Sequence, residues 1–179
     1  CASSNEFLII IGAGFSGKTH LASIFAYETG AKIIEESDLE QRSIQDIIAY
    51  SNSFIIEDLE KKQKYENKIF HLYNEIKLLS GRLLMTSERR INDLPFVTND
   101  LKSRLLATPN VLLGTPDQQL IEALVLKFFS DRQIIVNYEV AKFFATRISR
   151  NYTEIYQELD RAYKESLISK KKITINSFK

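Results

Sequence analysis

Sulfhydryl chemistry is nearly missing from this 179-residue chain: its single cysteine is Cys1, so no intrachain disulfide can form and a cytoplasmic location is the default. No apolar run approaches the roughly 20 residues needed to cross a bilayer, so no membrane segment is expected. An excess of one charge is lacking too. Lys and Arg number 24 against 23 Asp and Glu, a net charge of +1, which gives no global attraction to nucleic acid, and direct DNA binding is not expected. The lysines at 61, 62, 64 and 68 and at 170–172 read as solvated turns or helix ends rather than a phosphate-tracking patch. Internal repeats and low-complexity stretches are absent. The two histidines, His20 and His71, have no metal-ligand spacing around them. What remains, 44% hydrophobic and 26% charged residues, suits one globular domain or a core domain with a small appendage.

Glycine is scarce, yet three of the six fall in one short stretch. Residues 12–19 read Gly12-Ala13-Gly14-Phe15-Ser16-Gly17-Lys18-Thr19, a complete G-x-x-x-x-G-K-T phosphate-binding loop directly after the apolar run Phe7-Leu8-Ile9-Ile10-Ile11. Backbone N–H groups of such a turn, entering a helix N-terminus, bind phosphate without side chains in the way, and the glycines Gly12, Gly14 and Gly17 permit the turn. Lys18 then reaches the outer phosphates as a point charge, and the Thr19 hydroxyl ligates magnesium. An amphipathic helix carrying Leu21, Ile24, Phe25 and Glu28 follows, so strand, loop and helix come in the required order.

Beyond the loop, strands at 32–35, 53–57, 82–86 and 110–113 alternate with helices at 39–50, 66–79 and 98–106, the second stopped by Ser80-Gly81. This alternation predicts an α/β fold, a mainly parallel five-stranded sheet between helical layers. The pattern changes at Thr115-Pro116, a helix cap followed by proline in the first turn. Three helical stripes follow: Leu120, Leu124 and Phe128; Val140, Phe143, Phe144 and Ile148; Ile155, Leu159, Ala162 and Ser166. Thr174 is read as the cap of a short fourth helix. A boundary is therefore placed between a nucleotide-binding domain, 1–114, and a helical domain, 115–179. The chain opens almost on its first strand without an initiator methionine, so a preceding N-terminal segment is expected to be missing.

A phosphate loop needs an acidic partner on a neighbouring strand. Phe54-Ile55-Ile56-Glu57-Asp58 supplies two carboxylates, one for the metal and its water shell and one to polarise an attacking water; the bland reading is a strand entering a charged turn. Met85-Thr86-Ser87 places hydroxyls at the C-terminal edge of the sheet, where Thr86 could orient water or merely cap the strand. Arg104 is either an arginine offered to a neighbouring subunit's γ-phosphate or half of a surface ion pair with Asp100.

Taken in order, Gly17-Lys18-Thr19-His20-Leu21, Glu57-Asp58, Ile69-Phe70-His71-Leu72-Tyr73-Asn74-Glu75-Ile76, Leu83-Leu84-Met85-Thr86-Ser87, Leu101-Lys102-Ser103-Arg104-Leu105, Thr115-Pro116-Asp117 and Leu159-Asp160-Arg161-Ala162 resemble the AAA+ ATPases of the bacterial DnaA group. Within that group the chain looks most like Hda-type regulators, paralogues of DnaA without its DNA-binding domain. The resemblance covers essentially the whole chain. It implies an αβα P-loop NTPase core with a C-terminal helical lid, and ATP or ADP with Mg2+ at their junction. The cofactor-binding set it implies is Gly12, Gly14, Gly17, Lys18, Thr19 and His20, with Thr19, Glu57 and Asp58 at the metal and Asp58, Thr86 and Arg104 as catalytic groups. His20 is otherwise read as packing. Arg104 stands where the family carries its arginine finger.

The resemblance also implies partners: DnaA, whose bound ATP is hydrolysed, a second copy of the chain, and the DNA polymerase sliding clamp, reached through an N-terminal peptide that this chain does not contain. Two residues depart from the family pattern. Glu57 replaces the usual aspartate, and Thr153 stands where a lid arginine is expected, with Arg150 one turn earlier as a substitute. Both departures weigh toward a rival reading, a nucleotide-gated adaptor with little ATPase activity. Two other rivals are a DnaA-type initiator or helicase-loader ATPase domain, and a small P-loop kinase, which would need a lid insertion between strands.

Overall fold

The computed structural model of the protein describes residues 6–178; Cys1 lies outside them. Five strands, β1 (Phe7–Ile11), β2 (Lys32–Ile33), β3 (Ser53–Ile56), β4 (Arg82–Ser87) and β5 (Asn110–Leu112), form one sheet in the order β2-β3-β4-β1-β5. Every pairing is parallel. The crossovers carry α1 (Lys18–Thr29), α2 (Glu36–Gln41), α3 (Ile44–Ile48), α4 (Glu66–Leu78) and α5 (Asn99–Ala107).

Strand alternation distributes β1 between two cores. Phe7, Ile9 and Ile11 join Phe54, Ile56, Leu83 and Met85 under Ile69, Leu72 and Ile76 of α4 and Leu101 and Leu105 of α5. Ile10 joins Ile55 and Leu84 in a smaller cluster whose only buried α1 side chain is Ala22. Of the amphipathic set Leu21, Ile24, Phe25 and Glu28, Phe25 packs against this cluster, while Leu21 and Ile24 remain 39% and 46% exposed. The centre of the α1 face is nonetheless covered, with Ile10, Ile55 and Leu84 buried, while β5 is exposed along its length.

The segment expected as one helix over 39–50 is two. Arg42 is extended, and Ser43 restarts the helix with a reciprocal capping box in which the Asp46 N–H donates to its hydroxyl at 3.1 Å. Lys68 of α4 donates to the Leu39 carbonyl at 2.8 Å, satisfying an orphan at the end of α2. β2 ends at Ile33, shorter than expected.

The described residues divide into two compact units. The first runs through Ala13 and resumes as Gly17–Leu113; the second takes Gly14–Ser16 and everything from Gly114. In the second, α6 (Gln118–Ser130), α7 (Tyr138–Ala145) and α8 (Tyr152–Ser169) pack Val125, Phe129, Ala141, Phe144, Ile155 and Leu159 into one core. Its first cap is Asp117, which accepts from the Leu120 N–H at 2.7 Å, so Thr115 is not the cap the sequence suggested. Leu120 sits at the margin of the buried stripe, 42% exposed, with Ile121 buried instead. The expected fourth helix is a single 3-10 turn, Ile175–Phe178. Among the described residues no helix is long and apolar enough to cross a membrane.

Candidate functional site

The parallel sheet brings the chemistry to one edge. Register places Ile10 beside Thr86, Ile11 beside Ser87 and Ile56 beside Met85, so the phosphate loop, the acidic turn and the end of β4 leave the sheet together. The Gly12 N–H donates to the Ser87 carbonyl at 3.0 Å and ties the loop to β4.

Within the loop, left-handed backbone occurs at Phe15, φ 64°, and Gly17, φ 94°. Neither Gly12 nor Gly14 has a positive φ, so the turn rests on one glycine and one phenylalanine rather than on three glycines. A phenylalanine there forfeits about 1–2 kcal/mol of backbone energy that glycine would not. Lys18, at 6% exposure, donates to the carbonyls of Gly12 at 2.8 Å and Ala13 at 2.9 Å. An ammonium has three protons, so one donor is left for an anion. The Glu88 carboxylate stands 3.8 Å from it. Thr19 and His20 are exposed on the first turn of α1.

Glu57 and Asp58 follow β3 directly. One Glu57 oxygen, Oε1, is buried and, among the described residues, has no hydrogen-bond donor, so it can accept from a ligand or a cation. Asp58 is left-handed, φ 55°, and its carboxylate pairs with Lys61 at 2.8 Å, a bond that holds the Lys61 ammonium above its ordinary range. This exposed pair is worth at most about 1 kcal/mol and yields readily to a stronger ligand. The fully buried Thr86 accepts from the Asp58 N–H at 3.1 Å. Loop donors, the spare Lys18 proton, the exposed Thr19 hydroxyl and the orphan Glu57 oxygen suit a nucleotide phosphate and a hard divalent cation.

Three participants escaped the sequence reading. Glu88 was signalled only as an acid at a strand end, Phe15 as a bulky residue among glycines, and Glu60 as one more charge after the acid pair. Glu60 accepts from the Ser87 hydroxyl at 3.0 Å and the Glu88 N–H at 3.1 Å.

Arg104 lies apart from these residues along its own chain but in the same unit. Its guanidinium sits 5.4 Å from the Phe70 ring centre and 5.9 Å from that of Tyr73, and among the described residues it makes no ion pair. The pair with Asp100 that the sequence allowed does not form. A cavity of about 510 Å3 opens here, lined by Phe70, Tyr73, Lys77, Asp100, Ser103 and Arg104.

In the second unit, Phe15 stacks on Tyr156, 4.6 Å between ring centres and 23° between planes. Both line a cavity of about 350 Å3 with Phe128, Arg132 and Thr153. Thr153 is exposed in the first turn of α8, its N–H donating to Asn151 Oδ1 at 2.9 Å. Arg150 is exposed just before it and, among the described residues, has no carboxylate partner.

No protein-family model matches the chain. Solved structures do match in fold. Domain III of the Thermotoga maritima replication initiation protein DnaA superposes with a TM-score of 0.76 at 17% identity, over 98% of this chain and 82% of that one. AMPPCP-bound DnaA from Aquifex aeolicus gives 0.65 at 17% identity, over 95% of this chain and 56% of that one. The Thermotoga maritima RuvB Holliday junction branch migration motor gives 0.68 at 15% identity, over 97% and 59%. The chain thus spans a little over half of the longer proteins. It has a DnaA-like AAA+ fold, the α/β class with a five-stranded parallel sheet that the sequence predicted.

Proposed function

We propose that this protein binds ATP or ADP with Mg2+ at Gly12–Thr19 and acts as an Hda-type switch, presenting Arg104 to the nucleotide held by DnaA and promoting its hydrolysis. The observation that carries the reading is the state of Arg104: a guanidinium near the Phe70 and Tyr73 rings, in no ion pair among the described residues, lining a cavity with Asp100 and Ser103. An arginine without a carboxylate partner has no ion pair to give up before it takes an incoming phosphate.

At the chain's own site, backbone donors between Gly14 and Lys18 would cradle the phosphates, while the spare proton of Lys18 takes an outer phosphate oxygen. Glu57 and the Thr19 hydroxyl would hold the cation, which neutralises phosphate charge when bound. Asp58, released from Lys61, would accept a proton from water, and Thr86 fixes the Asp58 backbone that aims it. Arg150 is proposed as the lid cation in place of Thr153. The uncharged Thr153 itself favours a second reading, a nucleotide-gated adaptor with slow turnover. DnaA is the proposed partner, and a second copy of the chain could offer the same acceptor site.

Calorimetry with ADP and AMPPCP, beside a DnaA–ATP hydrolysis assay with DNA-loaded sliding clamp present, tests both halves. Lys18→Ala is expected to abolish nucleotide binding, and Arg104→Ala to bind normally yet give no stimulation. Undiminished affinity in the first variant sinks the site assignment; full stimulation by the second sinks the arginine's role.

A further inference from the structure

We propose that Glu60 is a positioning residue of this site: it sets the Glu88 carboxylate against Lys18 and thereby weights the site between nucleoside di- and triphosphate. The inference rests on the nucleotide-binding reading above, and begins from one carboxylate that accepts twice from the end of β4.

Glu60 is well mounted. It belongs to the 3-10 turn Leu59–Lys61, which follows Asp58 and is anchored by Leu59 at 0% exposure. From there its Oε2 accepts from Ser87 Oγ at 3.0 Å and from the Glu88 N–H at 3.1 Å. Ser87 Oγ also lies 2.8 Å from the Arg89 carbonyl, but a hydroxyl has one proton, and the charged acceptor is the stronger claimant. The Arg89 N–H donates back to Ser87 Oγ at 3.0 Å, so the bend 87–89 closes on itself around the Glu60 carboxylate. With Asp58 N–H bonded to Thr86, the acidic turn and the strand end are stitched at successive residues.

Glu88 hangs from that stitched segment. Its side chain is 45% exposed and, without a fixed backbone, would lose rotamer entropy to stay near Lys18. The Glu60 bond fixes the backbone and leaves only the side-chain torsions, so the 3.8 Å approach of carboxylate to ammonium is cheaper to maintain. Lys18 has one proton uncommitted, and Glu88 and a phosphate oxygen compete for it. An added γ-phosphate brings more negative charge toward that carboxylate than a diphosphate does. Glu88 held in place therefore disfavours triphosphate relative to diphosphate. The second Glu60 oxygen, Oε1, is buried with no partner among the described residues, so the residue has acceptor capacity left for a water or donor that arrives with a ligand.

The test uses the full chain and four variants, Glu60→Ala, Glu60→Gln, Glu88→Gln and the double variant Glu60→Ala/Glu88→Gln, with ADP and AMPPCP in magnesium buffer by calorimetry. Glu88→Gln is expected to tighten AMPPCP relative to ADP by about fivefold, the effect of one unit charge near 4 Å in a largely aqueous setting, and Glu60→Ala, which frees the Glu88 carboxylate without removing it, to shift the ratio the same way by less. Glu60→Gln keeps the acceptor and stays near wild type, and the double variant gains no more than Glu88→Gln alone. Additive effects, an unchanged ratio in Glu60→Ala, or equal behaviour of the two Glu60 variants would overturn the proposal. A wild-type chain that binds neither nucleotide would refute the nucleotide reading and the discrimination with it. The positioning itself is read without nucleotide: in 1H–15N spectra the Glu88 amide proton moves upfield in Glu60→Ala, and an unmoved resonance refutes it.

Discussion

The Asp58 N–H donates across the sheet edge to the hydroxyl of Thr86, 3.1 Å away and fully buried. Thr86→Val keeps shape but leaves that N–H without an acceptor, and is expected to cost about 1–3 kcal/mol. Thr86→Ser retains the bond and most of the stability. Urea unfolding of the three proteins at neutral pH decides it; a Val variant as stable as wild type means the bond holds nothing.

Phe15 combines a left-handed backbone with a ring stacked on Tyr156. Phe15→Ala keeps the backbone cost and loses a stack worth about 0.5–1.5 kcal/mol. Phe15→Gly loses the same stack but relieves the backbone by about 1 kcal/mol. Glycine is therefore expected to be the milder substitution, a reversal of the usual order. Chemical denaturation midpoints would show it, and a glycine variant less stable than the alanine one contradicts the strain.

Ser80-Gly81 ends α4 as the sequence predicts: Ser80 is left-handed, φ 53°, and the Gly81 N–H donates to the Ile76 carbonyl at 2.8 Å. What Gly81 provides is space: a Cβ would lie 2.8 Å from the Asn52 carbonyl oxygen and 3.0 Å from Ile76 Cγ2. Gly81→Ala is expected to lose about 1–3 kcal/mol by overpacking against backbone that cannot yield. A thermal midpoint equal to wild type would show that the Asn52 loop moves aside.

In the second unit, the Tyr138 hydroxyl donates to one Glu122 oxygen at 2.7 Å and the Gln118 side-chain amide donates to the other at 2.9 Å. Tyr138 first, then Gln118, holds the Glu122 carboxyl below the usual carboxylate range. A folded-state pKa below the unfolded one means the stabilisation is complete above the unfolded value and is lost as pH falls through the depressed one. Denaturant midpoints followed from pH 6 down to pH 3 should fall less steeply for Glu122→Gln than for wild type. Parallel curves would mean that the bond to Tyr138 adds no pH dependence.

Much of the core architecture was legible because it follows from local chemistry. Alternating apolar residues in Phe7–Ile11 and the helical spacing of Ile69, Leu72 and Ile76 mark a strand and a buried face whatever surrounds them. Leu21 and Ile24 show the limit of that logic: periodicity gives a helix its apolar stripe, but not the element that covers it. The break at Arg42–Ser43 was equally local, a capping box within reach of the sequence.

By itself, then, the sequence determined the phosphate loop, the alternation of strands and helices and the acids that end β3, since each depends on neighbours a few residues away. Only tertiary structure decided which side chains are already engaged. Asp58 is taken by Lys61 and Thr86, while Arg104 lies near the Phe70 and Tyr73 rings and, among the described residues, in no ion pair. Glu88 reaches Lys18 under the hold of Glu60, a contact between residues 70 apart in sequence. Hydrogen bonds and charge pairs act over a few ångströms in space, and the order of strands in the sheet, which no local pattern encodes, fixes who stands within that distance.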